Sequence, residues 1–288
     1  MATVAHKSKS LPLALRGIQI FFGIAGRLLP DLAARIAFRL FMTPKRSASA
    51  RFDKYTLPPS QIVDVPFQEG FIRTYSWGEG PTVFCIHGWE GSSRQFYKFV
   101  QPLLDAGCRV TLMDSHAHGD SSGTQSNFIQ TSDALYEVIR QLGVPYAVIA
   151  HSFGTGVITL MLERYPTIIG IEKFVLIAPV NHLQDMIDTF SQAINLPARA
   201  RAAFERLLVN LVDRSIESFD VENTARSRTE PVLLIHDRDD PAVPYTNAQT
   251  IASVWQGAEV MLTTGLGHNR ILMSEQIITS VCEFLRDA

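Results

Sequence analysis

Ala150-His151-Ser152-Phe153-Gly154 lies between the apolar run Val144–Ile149 and the helix-patterned stretch Thr155–Tyr165. A serine with small residues two places before and after it fits a turn tight enough to strain its backbone. A hydroxyl held that way at the crest of a buried sheet is a nucleophile, and the chemistry it implies is covalent catalysis by Ser152. A competing expectation is a serine that only caps the helix after it. Ala150 stands where glycine is usual in such a turn, so the pattern needs support from the rest of the chain.

That support lies after the other apolar runs. His87-Gly88-Trp89-Glu90-Gly91 follows Phe84-Cys85-Ile86, and Asp114-Ser115-His116-Ala117-His118-Gly119-Asp120-Ser121 follows Val110–Met113. His236-Asp237-Arg238-Asp239-Asp240-Pro241-Ala242-Val243-Pro244 follows Val232–Ile235, and Gly265-Leu266-Gly267-His268 precedes the last helical segment. Ligands of open parallel sheets bind at the carboxyl ends of the strands, where each of these clusters falls. His116, His118 and Asp120 spell part of a binuclear metal signature, but Ser121 stands where another histidine is needed and no distant ligand set accompanies them. No metal and no cofactor is expected.

The elements that must position these residues are readable from residue 62 onward. Strand-like runs are 62–67, 71–77, 82–86, 109–113, 147–150, 174–178, 232–235 and 259–262, and helix-like stretches are 95–106, 128–142, 155–165, 245–255 and 270–286. Near-continuous Val, Ile and Leu runs are strands buried on both faces, which calls for a parallel sheet covered by helices on either side. The first two strands have no helix between them and predict an antiparallel hairpin. Between Pro179 and Glu230 the strand pattern stops. Leu183, Met186, Ile187, Phe190 and Ile194, then Phe204, Leu207, Leu208 and Leu211, recur at helical spacing on either side of Pro197. A helical insertion after a strand suits a lid, and it suits equally a plain extension of the core.

The 26 Lys plus Arg nearly balance 28 Asp plus Glu, so no overall field favours nucleic acid as a partner. The 3 cysteines, Cys85, Cys108 and Cys282, have no metal or redox spacing and read as buried thiols of a reducing compartment. The chain is expected in the cytoplasm. The first fifty or so residues differ from the rest: Lys7, Lys9, Arg16, Arg27, Arg35, Arg39, Lys45 and Arg46 face Asp31 alone, amid many large apolar residues. Arg16 and Arg27 bracket an apolar stretch shorter than the roughly 20 residues a membrane span needs, and the interruption at Arg16, with no clean small-x-small site after it, argues against a cleaved signal peptide. Two readings stay open for residues 11–42: an amphipathic helix pair peripheral to the inner membrane surface, or a helical arm packed on the domain.

The five motifs, in this order, resemble the α/β-hydrolase superfamily, in its subgroup with a His-Gly-Trp loop. The resemblance covers residues 61–288 and leaves 1–60 as a separate basic arm. It implies a mostly parallel, twisted sheet of about eight strands with helices on both faces and a small helical lid at 180–229. By resemblance Ser152 is the nucleophile, His268 the general base, and Asp240 the acid that orients it. Asp240 stands in a His-x-x-x-Asp-x-x-Val-Pro pattern, with Asp237 in place of the usual glycine and Asp239 as a competitor. The oxyanion hole is expected from the backbone N–H groups of Trp89 and Phe153. His87, Gly88 and His151 are expected beside the substrate, with His87 bracing the loop. The implied reaction is hydrolysis of a small-molecule carboxylic ester or thioester, with a hydrophobic acyl chain suggested by the insertion. Acyl transfer, perhydrolysis, amide cleavage and a weakly active binding protein remain the alternatives.

Overall fold

In the computed structural model the short apolar runs form one sheet of eight strands, whose inner parallel strands are buried on both faces. These are β1 (Gln61–Phe67), β2 (Gly70–Trp77), β3 (Thr82–Ile86), β4 (Arg109–Met113), β5 (Ala147–His151), β6 (Lys173–Ile177), β7 (Val232–Asp237) and β8 (Ala258–Thr263). Their order is β1-β2-β4-β3-β5-β6-β7-β8. β1 and β2 make the expected antiparallel hairpin, β2 is antiparallel to β4, and every later pairing is parallel. The structure describes residues 13–46, 54–212 and 215–286. Lys7, Lys9, residues 11 and 12 of the basic segment, residues 47–53 of the arm and 213–214 of the insertion lie outside them.

The helices are α1 (Leu13–Leu28), α2 (Pro30–Phe41), α3 (Tyr97–Asp105), α4 (Phe128–Leu142), α5 (Phe153–Arg164), α6 (Leu183–Ala193), α7 (Ala198–Val212), α8 (Val221–Ala225), α9 (Thr246–Val254), α10 (Gly267–Arg270) and α11 (Glu275–Arg286). The stretch 270–286, expected as one helix, is broken. Ile271–Met273 is a tight 3₁₀ turn, and Ser274 is extended (φ −76°, ψ 122°) before its carbonyl accepts the N–H of Ile278 at 3.1 Å. Ile271 and Leu272 are wholly buried, so the break lets that turn point into the core while α11 starts afresh.

The chain divides into two compact units. In the larger, residues 42–183 and 217–288, strand registers set Val83, Val110 and Ala147 level with one another. The face they share, with Cys85, Leu112, Ile149, Val175 and Ile177, packs with Phe99 and Leu103 of α3 and Val281 and Leu285 of α11. α5 takes the opposite face, where Gly154 lies against Ile86. Asn127 caps α4 by accepting the Gln130 N–H at 2.8 Å, and Gly143, at φ 96°, ends it. The three cysteines are buried and free.

The smaller unit, residues up to 41 and 184–216, joins two stretches distant in the sequence: α1 and α2 with α6 and α7. α2 runs along α7 with Ala33, Ala34 and Ala37 buried, and Phe41 meets the rings of Phe190 (5.1 Å) and Phe204 (5.4 Å). Small side chains let the helices approach, and the three aromatic rings fill the space beside them.

Candidate active site

Strand β5 delivers Ser152 to the carboxyl edge of the sheet in a conformation few residues adopt, φ 51° and ψ −119°. Such backbone costs about 1–3 kcal/mol and persists only where its surroundings hold it. Three bonds hold it here. The Ser152 N–H donates to Ile177 O at 3.0 Å, and Ser152 O accepts from the Thr155 hydroxyl (2.6 Å) and N–H (2.8 Å). Gly154 is required: a Cβ there would stand 2.6 Å from Ile86 O and 2.9 Å from His87 O. Ala150, the departure from the usual glycine, is fully buried with its methyl accommodated.

His268 sits in the short helix α10 and bridges two partners. Its Nδ1 donates to Asp240 Oδ2 at 2.7 Å, leaving Nε2 to accept from the Ser152 hydroxyl at 2.9 Å. Asp240 also accepts at Oδ1 from the N–H groups of Ala242 (2.8 Å) and Val243 (3.0 Å). His236 Nε2 lies 3.3 Å from Asp240 Oδ2 and 3.1 Å from Val243 O. Burial works to raise the Asp240 pKa, but hydrogen bonds from His236, His268 and Val243 prevail and hold the carboxyl well below its ordinary range. Asp240 is therefore a fixed anion beside the imidazole.

The residues around it explain the unusual Asp237. Its Oδ2 accepts from the Thr263 hydroxyl at 2.7 Å and the Leu266 N–H at 3.0 Å, and its Oδ1 accepts from the Asp239 N–H at 3.0 Å. Asp239 turns to Gly265, whose N–H reaches its Oδ2 at 2.8 Å. The carboxylate that replaces glycine thus ties the loop after β7 to the loop that carries His268. Asp239, the competitor for the acid role, braces the same loop and has no bond to the imidazole among the described contacts.

On the other side of Ser152, His87 is wholly enclosed. The Ser115 N–H donates to its Nε2 at 2.9 Å, which leaves the proton on Nδ1 to donate to Gly88 O at 2.7 Å. With both nitrogens engaged by backbone it braces the loop and has none left for a substrate, contrary to the expected substrate contact. Gln95 Oε1 accepts the Gly88 N–H at 3.2 Å. Gly88 itself faces the nucleophile: a Cβ there would stand 3.2 Å from the Ser152 Cβ. The Trp89 and Phe153 rings meet edge to face at 5.2 Å, so the two residues expected to supply oxyanion donors are neighbours. Phe153 begins α5, and a first-turn N–H has no partner inside its own helix.

His151 lies under the base rather than open to a ligand. It is buried, its ring is 4.9 Å from that of His268, and its Nε2 donates to His268 O at 2.9 Å. Burial, with the neighbouring His268 adding to it, pushes its pKa down to about 3. His118 is likewise pushed to about 3 by burial, and burial lowers His87. His118 packs on Trp89 and donates through Nδ1 to His116 O at 2.9 Å, so the His-x-His-x-Asp stretch serves as a folded loop. Asp114 secures that loop by accepting the N–H groups of Ser93 (2.7 Å) and Asp120 (2.8 Å). Gln95, Thr155 and the bonding role of His236 are absent from the sequence reading. Side-chain bonds to backbone leave no periodic trace in a sequence.

Known proteins carry the same architecture. A family model described as alpha/beta hydrolase fold matches residues 81–208, and one described as TAP-like protein matches 214–288. The lysophosphatidylserine lipase ABHD12 of Danio rerio is 23% identical over 94% of this chain and 82% of its own length. The bifunctional esterase/perhydrolase DCH of Acinetobacter calcoaceticus is 33% identical over 42% of this chain and 45% of its own. The chain spans 42% to 60% of the length of further curated relatives. The crystal structure of a bromoperoxidase from Bacillus anthracis superposes with a TM-score of 0.63 at 18% identity, covering 80% of this chain and all of that one. The chain belongs to the α/β-hydrolase superfamily. Its lipase and esterase relatives support a hydrolase of that fold.

Proposed function

We propose that this protein is a serine hydrolase that cleaves a carboxylic ester or thioester through an acyl-enzyme on Ser152. The observation that carries the reading is the unbroken hydrogen-bonded chain Ser152–His268–Asp240, with the serine in strained backbone. Ser152 Oγ attacks the carbonyl carbon while His268 Nε2 takes its proton, and Asp240 stabilises the resulting imidazolium. The oxyanion is received by the N–H groups of Trp89 and Phe153, each such donor lowering the barrier by about 3–4 kcal/mol. His268 then protonates the departing alkoxide or thiolate. Water attacks the acyl-enzyme, His268 takes its proton, and the acid leaves as Ser152 regains its hydrogen.

The relative named as a lysophosphatidylserine lipase supports a lipid ester with a hydrophobic acyl chain as the substrate class. A fluorophosphonate probe tests the reading against a binding protein of the same fold. Rapid stoichiometric labelling of Ser152 is expected, with hydrolysis of nitrophenyl esters that grows with acyl length. Failure to label while the protein is folded would remove the serine from the chemistry, and indifference to acyl length would remove the hydrophobic substrate.

A further inference from the structure

Helix α1 is amphipathic the wrong way round for a helix that only packs inward. Its covered side carries Phe22, Gly23, Gly26 and Gln19, the last donating its amide to Ala193 O at 3.0 Å. Gly26 needs to be small, because a Cβ there would meet Pro197 Cδ at 2.5 Å. The large aliphatic residues lie on the other side. Leu13, Ile20, Ile24 and Leu28 are spaced so that a helix gathers them into one stripe, and they are 85%, 64%, 58% and 72% exposed. Leu29 and Leu32 carry the stripe round the turn into α2, at 56% and 52% exposure. A contiguous exposed apolar surface of this kind marks a place where another surface docks.

The charges beside it say which surface. Arg16 and Arg27 border the stripe on α1, Arg35 and Arg39 lie on the exposed side of α2, and Asp31, the one acid of these two helices, is 3.8 Å from Arg206. Two copies meeting through this face would bring like charges together, whereas an anionic lipid surface accepts both the aliphatic stripe and its cationic border. No described helix is long and apolar enough to cross a membrane. At 16 residues α1 is about 24 Å long, shorter than a hydrocarbon core, which suits a helix lying in the interface.

We infer that the outward face of α1 and the α1–α2 turn docks on an anionic bilayer, aliphatic side chains in the acyl boundary and arginines at the headgroups. This stands on the helices alone and is independent of the reaction proposed above.

Flotation with vesicles of phosphatidylcholine, with and without phosphatidylserine, tests it on the full chain. Wild type is expected to float with the anionic vesicles and to bind less as salt rises. Ile20→Asp with Ile24→Asp is expected to lower partitioning on the order of a hundred-fold. Arg16→Gln with Arg35→Gln is expected to lower it about ten-fold, on anionic vesicles only. All four residues are exposed, so both double variants should keep the wild-type circular dichroism and its rate on a soluble short-chain ester, which separates docking from chemistry. Three results would overturn the inference: no wild-type binding to anionic vesicles at low salt, equal binding by the aspartate variant, or a wild-type dimer in sedimentation equilibrium that the aspartate variant abolishes while vesicle binding is absent.

Discussion

The loops at the carboxyl ends of the strands and the outer face of α1 and α2 depart from ordinary globular design in opposite directions. In the loops, polar groups are buried and the backbone is strained. His87, His118, His151 and Asp237 are enclosed, and Glu90, Ala117, Ser152 and Ala178 take positive φ after β3, β4, β5 and β6. On the helices, aliphatic groups stand exposed on a regular helical backbone. The first departure is held by a dense set of bonds inside the molecule, so its purpose is internal: a fixed arrangement of groups. The second has no covering partner among the described residues, as the proposed docking on a bilayer requires.

Breaking the loop side should have the largest consequence. Ser152→Ala is expected to lower kcat about a million-fold on a nitrophenyl ester, since the residual rate then comes from binding and the oxyanion donors alone. Asp240→Asn is expected to cost about ten thousand-fold in kcat by presenting the wrong partner to His268 Nδ1. Asp239→Asn should cost far less, because Asp239 holds Gly265 and not the imidazole. Equal losses from the two would reassign the acid.

Acid should find the same region first. An unfolded histidine takes its proton near pH 6.5, whereas His118 and His151 do so at about 3 when folded. The folded chain therefore binds fewer protons between those values. This contribution to stability is complete above about pH 6.5 and declines as pH falls toward 3, by about 1.4 kcal/mol per pH unit for each histidine. The depressed pKa of Asp240 acts lower still, its contribution present above the ordinary carboxylate value of about 3.9 and lost below it. Urea unfolding between about pH 7 and 5 should show the slope, and His118→Gln should reduce it by one proton.

Asp237→Gly, which installs the residue usual at that place, should cost about 1–3 kcal/mol in urea unfolding by leaving Thr263 and Leu266 without their acceptor. It should lower kcat more than it raises KM. A single Ile24→Asp on the helix side should change stability by no more than about 0.5 kcal/mol. A large loss there would mean that the face is covered within the molecule and would erase the contrast.

The sheet was legible because fully buried parallel strands write themselves as continuous apolar runs, and its hairpin because β1 and β2 have no helix between them. Ser152, Asp240 and His268, singled out by motif, lie in one hydrogen-bonded chain. What escaped was pairing at a distance. Asp237 reads in the sequence as a flaw in a pattern, and its bonding to Thr263 and Leu266 exists only after folding. The union of α1 and α2 with α6 and α7 escaped for a related reason. Periodicity reports which face of a helix is apolar, and in α1 the packed face is the one with glycines and a glutamine.

Acid quench during turnover of a nitrophenyl ester, followed by peptide mass spectrometry, tests the central claim most directly. The peptide containing Ser152 should carry one acyl group in wild type and none in Ser152→Ala. Steady turnover with that peptide unmodified, or with the acyl group on another residue, would contradict the account.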